Sequence, residues 1–127
     1  MNFDDAIAAH VAWRMKLSSY LAKPNHSLNA DEVAKPTSCE LGHWIAGEGQ
    51  HYAAMREFST LQTEHAHFHK AAADVVRRAD SGQKVSEEVA LGAHSQFADA
   101  SKAVVNSLMA LKSKLADPKK QKAATHP

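Results

Sequence analysis

Between Phe3 and Leu21 the positions Phe3, Ile7, His10, Arg14, Leu17 and Leu21 alternate in steps of four and three, which predicts an amphipathic helix with His10 inside its buried stripe. Pro24, Asn25 and the polar stretch to Asn29 end it. Asn29-Ala-Asp-Glu is a capping sequence for one short turn before Pro36. Cys39-Glu-Leu-Gly-His-Trp-Ile-Ala-Gly follows, an apolar segment bounded by Gly47 and Gly49, and predicts a single short helix with the cysteine at its start. From about Gln50 to Ala79 the residues Met55, Phe58, Leu61, Ala72 and Val76 recur at helical spacing. Asp80-Ser-Gly-Gln reads as a turn. Beyond it Val85, Val89, Ala93, Phe97, Ala100, Val104, Leu108, Leu111 and Leu115 predict a second long helix running almost to Pro118.

Nothing in this pattern alternates with the period of a strand, and no segment repeats. The expectation is an all-α fold: a four-helix-type bundle of antiparallel helices with short connections, in which a short helix carries the cysteine. Residues 1–118 are expected to form one domain. Residues 119–127, basic and aperiodic, are expected to be a disordered tail.

Composition removes several functional classes. At 127 residues the chain can bury one core but is short for a two-domain enzyme. Its 15 Lys and Arg are balanced by 14 Asp and Glu, so no net field draws it to nucleic acid or to an anionic membrane surface. No apolar run approaches the roughly 20 residues of a membrane span, and the Met-Asn-Phe-Asp-Asp opening is acidic where a signal peptide is basic. A cytoplasmic protein without membrane insertion is expected. The single cysteine cannot form an intramolecular disulfide, which leaves Cys39 as packing, a reactive thiol or a metal ligand.

The candidate chemistry is metal binding. His65 and His69, four residues apart on a helix, leave the same face one turn apart and can converge on one ion. Both stand near the stripe of Leu61, Ala72 and Val76, where an imidazole without a partner costs free energy. Taken singly, His10 on an apolar stripe also reads as a hydrogen-bonded core residue, and Cys39 as inert packing. Together the four supply the number and softness of donors that suit tetrahedral Zn2+. His67 lies about 200° around the helix from either neighbour and is expected at the surface. Trp13 and Trp44 are expected to screen the metal from water. Arg14, on the inner stripe, suggests a buried or interfacial ion pair.

His10-Val-Ala-Trp-Arg, Cys39-Glu-Leu-Gly-His-Trp and Leu61-Gln-Thr-Glu-His-Ala-His-Phe-His69 resemble, in order and separation, the chemoreceptor zinc-binding (CZB) domain. Its hallmarks are a His-x-x-Trp-Lys/Arg opening, a Cys-x-Leu/Phe-Gly-x-Trp core and an His-x-x-x-His helix. The resemblance implies a helical bundle that commonly dimerises, with zinc on three histidines and one cysteine, here His10, Cys39, His65 and His69. It also implies partners in signalling, either a chemotaxis receptor or a diguanylate cyclase acting through cyclic-di-GMP, and an input of zinc or of an oxidant such as hypochlorous acid. Four protein donors close a zinc shell and leave no place for a water nucleophile, so no enzymatic activity is expected. The rivals are a metal-dependent hydrolase or di-iron bundle protein, and a structural zinc-stapled dimerisation module. A di-iron site calls for bridging carboxylates where this chain offers imidazole and thiol. Dimerisation is expected from the apolar stripe Val85 to Leu115, which is longer than the first helix can cover.

Overall fold

The computed structural model describes residues 2–82 and 86–116. Every regular element among the described residues is helical, in the order α1 (Phe3–Ala22), α2 (Ala30–Val33), a 3-10 turn (Pro36–Ser38), α3 (Glu40–Ala46), a second 3-10 segment (Glu48–Tyr52), α4 (Arg56–Asp80), α5 (Glu87–Leu91) and α6 (Gln96–Ala116). The all-α bundle with the cysteine at a short helix is therefore the observed architecture. The tail 119–127 and Val85 lie outside the described residues.

Short polar side chains set most helix starts. Asn2 accepts the Asp5 N–H at 3.0 Å, Asn29 the Glu32 N–H at 3.2 Å, and Ser86 the Val89 N–H at 3.1 Å. The cap of α3 is Cys39 itself, whose sulfur accepts the Gly42 N–H at 3.4 Å. The potential ligand is thus fixed by the helix it begins.

Three long helices pack on one another, and the segment from α2 to α3 lies along α4 as the fourth wall. Side-chain contacts give their directions. Phe3 meets Trp44, which meets Phe58 at the start of α4, and Tyr20 donates to Asp80 at its end, 2.5 Å away, so α1 and α4 run parallel. Lys112 pairs with Asp4 and Lys114 with Glu57, so α6 runs against both. This departs from the expected short antiparallel connections. A parallel pair of helices about 30 Å long requires the chain to return along the bundle, and the returning segment, residues 23–55, carries Val33 and Cys39 past the middle of the other helices.

The core between the long helices is made of Leu17, Phe58, Leu61, Phe68, Ala72, Val76, Phe97, Val104, Leu108 and Leu111, all essentially excluded from solvent. The expected second long helix is broken. Gly92 ends α5, and a Cβ there would sit 2.2 Å from the Glu88 carbonyl oxygen. Ser95 Oγ then accepts the Ala98 N–H at 3.0 Å and restarts the helix as α6. The break shifts the register, leaving Val89 and Ala93 exposed and burying Ala90 and Leu91 instead. The stripe from Phe97 to Leu111 is covered by α1 and α4 within the chain, so it does not supply the apolar surface expected to drive dimerisation. Arg14 is likewise at the surface, with a side chain 55% exposed and 4.0 Å from Glu87 on α5. No helix among the described residues is long and apolar enough to cross a membrane.

Candidate metal centre

His10 comes from α1, His65 and His69 from one face of α4, and Cys39 from the turn entering α3. The structure brings all four together, with one donor atom from each lying within 4.8 Å of the others. Cys39 Sγ is 3.2 Å from His65 Nε2 and 3.5 Å from His69 Nε2, and the two Nε2 atoms are 3.0 Å apart. A tetrahedral zinc with bonds of about 2.0–2.1 Å to nitrogen and about 2.3 Å to sulfur needs edges of about 3.3 Å between nitrogens and about 3.5 Å from nitrogen to sulfur. Three of the four donors already stand near those separations.

Backbone carbonyls decide which nitrogen two of the three imidazoles present. His10 Nδ1–H donates to the Ala6 carbonyl at 2.7 Å, and His69 Nδ1–H donates to the Val33 carbonyl at 2.8 Å. Only a protonated nitrogen can pair with a carbonyl, so in the neutral rings both Nε2 atoms are left as bare lone pairs. This is the outer-shell arrangement that orients histidine ligands. His10 Nε2 is buried with no hydrogen-bond partner among the described residues. An orphaned acceptor at that depth costs about 1–3 kcal/mol unless something occupies it. A soft divalent cation fits: the donors are nitrogen and sulfur, no carboxylate belongs to the group, and the orphan gains a partner.

Burial sets the electrostatics. The three histidines are 1–2% exposed, and desolvation lowers the pKa of each below the ordinary 6.5. For His65 the neighbouring His69 and His10 add to the effect, bringing it to about 3. All three rings are therefore neutral at pH 7, the state that binds metal. Desolvation raises the Cys39 thiol, against the opposing pull of the Gly42 N–H and other nearby N–H groups. A bound cation reverses that balance by stabilising the thiolate directly.

Gly42 explains why the cysteine can sit there. A Cβ on Gly42 would fall 1.8 Å from the Pro36 carbonyl oxygen, so only glycine lets α3 press against the 3-10 turn that precedes Cys39. The Cys-x-Leu-Gly sequence is a packing device as much as a ligand motif.

Several expectations about neighbours change. His67 is exposed and faces Glu64 at 3.9 Å, as its position on the helix predicted. His43 and His51 are also exposed. Trp13 and Trp44 do not screen the cluster. Trp13 is half-buried beneath Lys16, whose Nζ is 4.8 Å from the ring centre, and Trp44 belongs to a separate group with Phe3, Tyr52 and Phe58. The ring against the histidines is Phe68, 5.0 Å from His10 and 5.6 Å from His69. Phe68 stands three residues after His65 and four before Ala72, so the stripe spacing marks it. The Ala6 and Val33 carbonyls carry no sequence signal, because every residue has one.

Residues 10–76, more than half of the chain, match the family of the chemoreceptor zinc-binding domain. The chain belongs to that family. Neither the curated proteins nor the solved structures compared with it gave a match. The family match begins at His10 and extends past His69, so the CZB region contains all four clustered donors.

Proposed function

We propose that this chain is a cytoplasmic CZB sensory domain in which His10, Cys39, His65 and His69 hold one Zn2+, and in which the state of that site is the signal. The observation that carries the reading is the pair of carbonyl-fixed imidazoles, His10 and His69, presenting bare Nε2 atoms in a cluster that contains the Cys39 sulfur. Zinc bound there would keep Cys39 as a thiolate and tie α1, α4 and the entry to α3 to one point. With four protein donors there is no open position for substrate or water, and the chain acts as a sensor without catalysis.

Two inputs suit this site, zinc supply and an oxidant such as hypochlorous acid. In the second, the thiolate attacks the oxygen of hypochlorous acid; an S–O bond forms, the O–Cl bond breaks, sulfur is oxidised to the sulfenic acid and chloride leaves with the electron pair. A sulfenic acid is a poorer zinc ligand than a thiolate, so α3 loses its tether to the histidines. The output would pass to a chemotaxis receptor or a cyclic-di-GMP synthesising partner. The chain is read as a homodimer meeting through the outer face of α1, where Val11 and Met15 are 54% and 75% exposed.

Elemental analysis of the purified protein tests the metal, with one zinc per chain expected. Hypochlorous acid is then added to the zinc-loaded protein while a chromogenic chelator follows release and mass spectrometry follows Cys39. Oxidation of Cys39 together with zinc release is expected; methionine oxidation with Cys39 reduced and zinc retained would leave zinc level as the input. Sedimentation at high micromolar concentration tests the dimer, and a monomer there would remove it.

A further inference from the structure

The cluster is not equally closed on all sides. While the histidine rings are almost wholly buried, Cys39 is half-buried, and a cavity of about 50 Å3 lies between the first turns of α1 and the start of α3. Its lining includes His10 and Cys39, together with Asp5, Ala9 and Glu40, all three of which are exposed. His10 is 2% exposed, and its Nε2 is the buried acceptor that lacks a partner among the described residues. A water needs about 10–15 Å3 of such space, so the cavity is large enough to admit a small cation.

We propose that this cavity is the port through which zinc enters and leaves, with the Asp5 and Glu40 carboxylates drawing the cation in and the small side chain of Ala9 keeping the passage open. The proposal rests on the zinc-binding reading above and adds a route to it. Two acidic residues flank a path that ends beside Cys39 and His10, whose buried Nε2 has no partner among the described residues, so a cation moving inward exchanges hard oxygen partners for softer nitrogen and sulfur. Charges placed at the mouth of a narrow low-dielectric passage raise the local cation concentration and hence the association rate.

The test measures zinc uptake by stopped flow with a fluorescent zinc indicator and zinc loss to excess chelator, on the full chain and its variants. Ala9 is an exposed helical position, which accepts leucine without cost to the helix, and the longer side chain plugs the passage. Ala9→Leu should slow uptake and loss by one common factor, on the order of 10-fold, and leave the equilibrium affinity unchanged, because a plug alters the barrier and neither end state. The double variant Asp5→Asn, Glu40→Gln should slow uptake on the order of 10-fold at low ionic strength, with the difference from the parent shrinking as salt is added. Parent-like uptake and loss in both variants, with zinc still bound at one per chain, would overturn the port and leave the metal site standing. Failure of the parent chain to bind zinc would overturn both.

Discussion

Replacing His10 by leucine should have opposite effects with and without metal. In the metal-free protein the substitution removes a buried acceptor that has no partner among the described residues, a relief of about 1–3 kcal/mol. Against this stands the loss of edge contacts with Phe68 at 5.0 Å and His65 at 5.2 Å, about 0.5–1.5 kcal/mol. The Ala6 carbonyl keeps its partner within α1, and leucine has the higher helix propensity. The balance is a gain of about 1 kcal/mol, or about 4 °C in melting temperature for a chain of this size. With zinc the sign reverses. Structural zinc sites bind with about 10–16 kcal/mol across four donors, so an even share for one donor is about 3 kcal/mol, about a 100-fold loss of affinity. That loss enters the folding free energy through linkage and outweighs the gain. Paired thermal melts in chelator and in excess zinc, with competition against a chromogenic chelator for the affinity, read both effects. A substitution that shifts the melting temperature by the same amount and sign in both conditions would show that His10 is a packing residue, and would refute the reasoning.

His65→Ala should weaken zinc binding by orders of magnitude while His67→Ala leaves it nearly unchanged, because one ring is buried in the cluster and the other faces solvent; equal losses in a chelator competition would dismiss the assignment. Gly42→Ala should destabilise the protein by about 3 kcal/mol or more and weaken zinc binding, since the added methyl cannot coexist with the Pro36 carbonyl; an unchanged melting curve would contradict that packing. The metal-free protein should lose stability as pH falls from about 6.5 toward about 3. His65, held near 3 by burial and by its neighbours, binds its proton in the unfolded chain first, so the unfolded state carries more protons throughout that window. The contribution of His65 is present above pH 6.5 and falls away by roughly 5 kcal/mol on reaching pH 3. Urea denaturation in chelator at pH 7 and pH 4.5 with equal midpoints would refute it.

The identity of the four clustered side chains and the helical class were legible in the sequence, because both depend on local periodicity. A three-and-four spacing places His10 inward on α1, a spacing of four places His65 and His69 on one face of α4, and Asn29 and Cys39 stand where short helices must begin. The donor chemistry of the four suggested their grouping, and the CZB resemblance implied the same set before any contact was known. Periodicity misjudged the stretch after Ser86, where the steps of four continue past a break imposed by the close approach of Gly92 to Glu88 and by the Ser95 cap. There local backbone chemistry overrode an apolar stripe. The parallel course of α1 and α4, the carbonyls of Ala6 and Val33 that fix two imidazoles in the cluster, and the cavity beside Asp5 and Glu40 belong to the tertiary structure alone. Each arises from backbone atoms or from surfaces of elements distant in the chain, and side-chain patterning encodes neither, since every residue offers the same carbonyl and only packing decides which one a histidine meets.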